Sequence, residues 1–197
     1  MPAGTYTLTR ANAGGVNEDN NATGDLDINS NVTLVGAGAA NTIIQAGTTA
    51  SNGIDKVIAV NPICSTAINA SISGVTIRFG RNTQPNGAPD FSYTGGGIDV
   101  CNTGSGGFTM TSVVVDQNTN TTAYGGGVNF DSAAPANGTN VIIGSTLSGN
   151  KTTALVDTNG GGINLYGDAQ NVNITNSTIS GNTAAGQGGG VFVRHTN

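Results

Sequence analysis

Apolar residues in this chain come in short alternating triplets, apolar then polar then apolar, set between polar corners and never in a run with helical spacing. Such alternation puts the outer residues of a triplet on one face of a strand and the middle one on the other. Thr5-Tyr6-Thr7-Leu8-Thr9 predicts a first strand. Leu26-Asp27-Ile28, Val32-Thr33-Leu34-Val35, Thr42-Ile43-Ile44, Val57-Ile58-Ala59-Val60 and Val75-Thr76-Ile77 predict further short ones. Residues 10–24 are polar and carry Asn and Gly turn signals, so they read as a loop or part of a cap. From Gly95 onward the pattern becomes an explicit repeat. Gly95-Gly96-Gly97-Ile98-Asp99-Val100 recurs as Gly125-Gly126-Gly127-Val128-Asn129-Phe130, Gly160-Gly161-Gly162-Ile163-Asn164-Leu165 and Gly188-Gly189-Gly190-Val191-Phe192-Val193. Between the copies lies a second phrase, Thr146-Leu147-Ser148-Gly149-Asn150 and Thr178-Ile179-Ser180-Gly181-Asn182, with Val114-Val115-Asp116-Gln117-Asn118 as a looser form.

The triple-glycine copies start at 95, 125, 160 and 188, in steps of 30, 35 and 28; the core positions Ile77, Val115, Leu147 and Ile179 step by 38, 32 and 32. A strand register that recurs while loop lengths vary is the mark of a solenoid, whose insertions leave at the loops. Val141-Ile142-Ile143 and Val172-Asn173-Ile174 supply another strand in each unit. The expected fold is all-β: a right-handed, single-stranded parallel β-helix with three short strands per coil. One domain is expected over 1–197, with the N-terminal strand, loop and first coil in 1–47, further coils in 48–197, and an incomplete last coil. Stacked triplets would put Ile98, Val128, Ile163 and Val191 in one inner column and Val100, Phe130, Leu165 and Val193 in another. Asp99, Asn129, Asn164 and Phe192 would form an outward-facing column. The glycines mark a corner needing positive φ or close backbone approach. Asn118, Asn150 and Asn182 share one position in three coils and are expected to form a buried ladder of amides.

Composition narrows the class. Gly (32), Asn (26) and Thr (27) are poor helix-interior residues, charged residues are only 9 %, and 36 % is apolar, so the chain reads as ordered and non-helical. A net charge of −5 with six scattered basic residues argues against nucleic acid as a partner. No apolar run approaches the ~18–20 residues that span a membrane as a helix. Met1-Pro2-Ala3-Gly4 leads into strand-like sequence without a signal peptide, and a processed product or a fragment of a longer protein is the expectation. Cys64 and Cys101 are the only cysteines, 37 apart where the local coil step is 38. They are expected at the same corner of neighbouring coils, joined by a disulfide, which fits an oxidising, extracellular or cell-surface location.

The opening Pro2-Ala3-Gly4-Thr5-Tyr6-Thr7-Leu8-Thr9, followed by Asn17-Glu18-Asp19, Gly24-Asp25-Leu26-Asp27-Ile28, Val35-Gly36-Ala37-Gly38 and Thr42-Ile43-Ile44, resembles the start of a broad class of secreted bacterial β-helix proteins. Their N-terminal region carries a Cys-Ser-Leu-Arg-Glu-Ala type segment, absent here. The Gly-Gly-Gly-Ile and Asn-Ser-Thr-Ile-Ser-Gly-Asn units are similar to the same class and to the repeats of chlamydial polymorphic outer-membrane proteins. The resemblance implies a secreted or surface-attached protein and specifies no chemistry.

Polysaccharide lyases and polygalacturonases share such a fold, and their chemistry needs clustered carboxylates with a Lys or Arg. Asp55, Asp90, Asp99, Asp116, Asp131, Asp157 and Asp168 are spread along this chain, with no Asp-Asp pair, no Gly-His-Gly and no Arg-Ile-Lys. The column of Asp99, Asn129 and Asn164 carries one carboxylate. Asp116 and Arg78 read as a surface pair across coils, and His195 has no evident partner. Asn-x-Ser/Thr at Asn31, Asn69, Asn120, Asn137, Asn150, Asn173 and Asn176 follows from the abundance of Asn and Thr. Thr5-Tyr6-Thr7-Leu8-Thr9 does not repeat per coil as an ice-binding array requires. No catalytic residue, metal or cofactor is expected. The expected function is a non-catalytic extracellular structural or adhesive module, able to associate head-to-tail into filaments. The alternative is a carbohydrate-binding or lyase-like β-helix acting on acidic surface glycans.

Overall fold

The chain is described by a computed structural model, which places residues 1–12, 19–85, 93–136, 138–154, 158–167 and 171–194. It is a parallel β-helix, and among the described residues there is no helix. A lead-in strand β1 (Gly4–Thr7) precedes the first coil of β2 (Leu26–Ile28), β3 (Val32–Val35) and β4 (Thr42–Gln45). The second coil holds β5 (Ile58–Val60), β6 (Asn69–Ser73), β7 (Thr76–Arg78) and β8 (Arg81–Asn82). The third holds β9 (Ile98–Gly104), β10 (Gly107–Thr111), β11 (Val114–Asp116) and β12 (Thr119–Asn120). The fourth holds β13 (Val128–Ala136), β14 (Thr139–Ile143), β15 (Thr146–Ser148) and β16 (Lys151–Thr152). The fifth holds β17 (Ile163–Tyr166), β18 (Asn171–Thr175), β19 (Thr178–Ser180) and β20 (Thr183–Ala184), and β21 (Val191–Arg194) opens the next.

Every strand pairs with its equivalent one coil away, giving four parallel sheets. Three carry the three strands per coil expected from the alternation, and the fourth is a narrow ladder of two-residue strands, β8-β12-β16-β20. The glycine-led sheet runs β2-β5-β9-β13-β17-β21. Its register aligns Ile58, Ile98, Val128, Ile163 and Val191, and beside them Val60, Val100, Phe130, Leu165 and Val193. Ile44, Ile77, Val115, Leu147 and Ile179 stack on the sheet of β1, β4, β7, β11, β15 and β19. Ala70 and Phe108, with Ile72, Met110 and Ile142, fill the third side, and the Phe108 and Phe130 rings meet at 6.2 Å across the centre. This continuous column of apolar side chains is the main stabilising term, at about 25 cal/mol for each Å² taken from water.

The bends repeat too. Gly74, Ser112, Gly144 and Asn176 all have positive φ at one corner, and Phe79, Gln117, Gly149 and Gly181 at the next. Glycine takes the left-handed conformation freely, whereas Phe79 and Gln117 carry a strain of about 1 kcal/mol each. In each triple glycine the first residue has positive φ, as at Gly125 (70°). The other two allow close stacking: a Cβ on Gly126 would lie 2.4 Å from the Gly161 carbonyl oxygen, and one on Gly127 2.5 Å from that of Gly162. The triple glycine is therefore a contact surface between rungs.

Candidate functional site

The ladder asparagines stand one residue after the left-handed corner, where their amides turn inward. Asn150 Oδ1 accepts from both the backbone N–H (3.0 Å) and Nδ2 (3.0 Å) of Asn118. Asn182 Oδ1 accepts the corresponding pair from Asn150 at 2.9 Å each. Each Nδ2 also donates to a backbone carbonyl in the preceding coil: Asn118 to Ile77, Asn150 to Val115, Asn182 to Leu147. Asn118 and Asn150 are fully buried, and Asn182 is half-buried in the last coil. The third glycine of the first three triples makes room for this column: a Cβ on Gly127 would meet the Asn150 amide at 3.0 Å, and Gly97 and Gly162 face Asn118 and Asn182 in the same way. Cys64 and Cys101 are disulfide-bonded, their Cα atoms 5.4 Å apart.

The column of Asp99, Asn129 and Asn164 faces outward, as the alternation predicts, but it is not open to solvent. It lies on the outer side of the glycine-led sheet, and all three residues are buried. The segment Tyr93-Thr94 lies against that side, and Thr94 Oγ1 contacts Asp99 Oδ1 and Oδ2 at 2.9 Å and Asp131 Oδ2 at 3.1 Å. Asn164 Nδ2 donates to Asn129 Oδ1 (2.7 Å), and Asn129 Nδ2 donates to Asp99 Oδ1 (2.9 Å) and to Asp131. Lys56 Nζ closes the cluster with an ion pair to Asp99 Oδ2 at 3.0 Å. Two carboxylates and a lysine thus meet where the linear sequence shows scattered charges.

Lys56 is one of the residues that the hydrophobic pattern does not bring forward. It sits two positions before Ile58, the place held by Gly96 before Ile98, so one coil has Asp55-Lys56-Val57 where others have glycines. Burial would lower the Lys56 pKa, but the charges of Asp99, Asp25 and Asp55 outweigh it and raise it, so the ammonium persists. Asp131 is pushed up to about 7 by burial and then by the Asp99 charge. Asp25 and Asp55 are raised too, by burial first, against the pull of Lys56. Burial also raises Tyr93, with Asp131 adding to it. The side chains are closed off: Lys56 is 1 % exposed, Asp131 2 % and Asp99 6 %. Among the described residues no three of His, Cys, Asp and Glu converge on a metal-sized site.

An open groove lies elsewhere, over the narrow sheet. In its two-residue strands Asn82, Asn120 and Thr152 turn inward and bond corner groups such as the Thr94, Tyr93 and Thr158 carbonyls. Alternation then turns Arg81, Thr119 and Lys151 outward, in register on β8, β12 and β16. They line a groove of about 480 Å³ together with Thr49, Ala50, Ser51, Thr121 and Thr153. No carboxylate lies within 4.0 Å of Arg81 or Lys151 among the described residues. The Thr119 hydroxyl is buried in that lining with no hydrogen-bond partner.

The remaining candidates are dispersed. Arg78 and Asp116 are register neighbours, but Arg78 Nε donates to Gln45 Oε1 (2.9 Å) and Asp116 accepts from Ser148 (2.7 Å) and Gln117 (2.8 Å). Thr5 and Thr7 continue up their sheet as Ile43 and Gln45, Thr76 and Arg78, then Val114 and Asp116, which breaks the hydroxyl row. Asp90, Asp157, Asp168, Asn137 and His195 lie outside the described residues. Compared with known protein families, characterised proteins and solved structures, the chain matches none of them.

Proposed function

We propose that this chain is a non-catalytic, extracellular structural or adhesive β-solenoid module. One observation carries the reading: the acid–base groups that the fold brings together, Lys56, Asp99 and Asp131, are closed off, Lys56 bonded to Asp99 and both carboxylates held by Asn129 and Thr94. A general acid or base has to come within hydrogen-bond reach of the substrate proton it moves. Here such a substrate would have to displace the Tyr93-Thr94 segment. The disulfide fits an oxidising compartment. The likeness of the repeats to those of secreted bacterial β-helix proteins points the same way. No helix among the described residues is long and apolar enough to cross a membrane.

Two surfaces are candidates for work at the outside. The groove over Arg81, Thr119 and Lys151 favours the second reading, binding of an acidic glycan. The rung of β21 leaves Val193 66 % exposed, in a column where Val60, Val100 and Phe130 are buried and Leu165 is half-buried. Head-to-tail self-association through that rung belongs to the proposal, and sedimentation at micromolar concentration tests it, a concentration-independent monomer being the outcome against it. The non-catalytic reading is tested by incubating the protein with uronic, sulfated and neutral polysaccharides and looking for shortened products, which it does not allow.

A further inference from the structure

We propose that the groove over β8, β12 and β16 binds a linear anionic polysaccharide, a deepening that rests on the adhesive reading above. Two cations face outward from one column, with the Thr119 hydroxyl between them. Rungs of a parallel coil are spaced at about 4.8 Å, so Arg81 and Lys151 stand roughly 10 Å apart along the axis. Neither is neutralised by a carboxylate among the described residues, in a chain of net charge −5. Their position therefore selects a ligand with negative groups at intervals along a line. Arginine offers a planar fork for a carboxylate or sulfate, and lysine a point charge.

The rest of the groove is hydroxyl-rich. Ser51, Thr49 and Thr153 offer donors and acceptors suited to sugar hydroxyls, and Thr121, whose hydroxyl donates to the Asn82 carbonyl, offers an acceptor. None of the lining residues is aromatic, so bases have no stacking platform. Two cations on an acidic protein are also too few for a phosphodiester backbone. Thr119 gives the independent sign. It is 3 % exposed, lines the groove, and its Oγ1 finds no partner within the protein. An unpaired buried hydroxyl is costly; its oxygen is covered in the free protein, and a small shift of the groove lining would let a ligand oxygen satisfy it.

Titration calorimetry on the full chain at low salt tests this with four probes: a galacturonate hexasaccharide, a heparin hexasaccharide, maltohexaose and a single-stranded DNA hexamer. The first two distinguish carboxylate from sulfate as the recognised group, and either one binding while maltohexaose does not is the expected result. Arg81→Gln and Lys151→Gln should each weaken that binding about tenfold, the loss of one charge-assisted hydrogen bond, and the double variant should abolish it. Thr119→Val should weaken binding several-fold while leaving the melting temperature equal or higher, because the free protein loses no hydrogen bond. Amide shifts of the unmodified protein, mapped by NMR, should concentrate at residues 81, 119, 151 and 153, independently of any variant. The proposal is overturned if neither anionic hexasaccharide binds at millimolar concentration, if the double variant binds as before, or if the DNA hexamer binds more tightly than both sugars. Cleavage of a hexasaccharide would instead overturn the non-catalytic reading, so the two failures are distinguishable.

Discussion

Replacing Asn150 by alanine strikes the ladder at its middle. The side chain makes four hydrogen bonds: Nδ2 donates to the Val115 carbonyl and to Asn182 Oδ1, and Oδ1 accepts from the Asn118 N–H and Nδ2. Asn118 Nδ2 keeps the Ile77 carbonyl, and Asn182 Oδ1 keeps the backbone N–H of residue 150. The Asn118 N–H and the Val115 carbonyl lose these partners in a site that is fully buried. With each bond worth about 1 kcal/mol net and an orphaned buried donor about 1–3 kcal/mol, the variant should lose about 3–5 kcal/mol. At about 2–4 °C per kcal/mol for a chain of this size, the melting temperature should fall by about 10 °C. Thermal melts followed by circular dichroism read this directly. Asn182→Ala, at a half-buried site with one coil fewer above it, should cost less. Asn173→Ala, on the exposed face of β18, should stay within about 0.5 kcal/mol of the parent. An Asn150→Ala melt indistinguishable from that of Asn173→Ala would refute the ladder as a source of stability.

Three further outcomes follow from the geometry. The Cys64–Cys101 bridge spans a sequence separation of 37, which in the chain-entropy account is worth about 4 kcal/mol; the double serine variant should melt about 10 °C lower, and non-reducing mass spectrometry of the parent should find no free thiol. Asp131 stays protonated in the folded state up to about pH 7, while an unfolded Asp titrates near 4, so the folded state holds the extra proton between those values. Stability should therefore fall as pH rises from about 4 to 7, Asp25 and Asp55 should add slope of the same sign, and Asp131→Asn should make the dependence shallower in denaturant titrations across that range. Gly126→Ala would place a Cβ 2.4 Å from the Gly161 carbonyl oxygen and 2.6 Å from Lys151 backbone atoms; the rungs must separate, and a loss of more than about 3 kcal/mol by chemical denaturation is expected, where a parent-like midpoint would show the rungs free to move apart.

The coil was legible wherever side chains carry the period. The alignment of Ile98, Val128, Ile163 and Val191 is written in the triple-glycine copies, and the structure pairs those residues rung on rung. β6 was harder to see, because Asn69-Ala70-Ser71-Ile72-Ser73 offers only two apolar residues, one of them small. The narrow sheet was invisible for a firmer reason: its inward residues Asn82, Asn120 and Thr152 are polar and serve the corners, so hydrophobic periodicity has nothing to report there. The groove on its outer side depends on Arg81, Thr119 and Lys151, which are 38 and 32 residues apart and come together only through the coil. The closed cluster failed differently. Alternation says which side of a strand Asp99 faces, but not whether another segment lies over that side, and Thr94 does. Lys56 left one trace in the sequence, a charged pair in a coil that lacks the triple glycine, directly before a buried apolar run.

The scaffold is proposed to present a surface and to perform no bond cleavage. Prolonged incubation of the folded, disulfide-bonded protein with galacturonate and heparin hexasaccharides, across pH 5 to 9 and with the chain lengths read by mass spectrometry, tests it. Both hexasaccharides should remain intact at every pH. Shortened or unsaturated products, lost in Asp131→Asn or Lys56→Met, would contradict it and make the closed cluster an active site that opens.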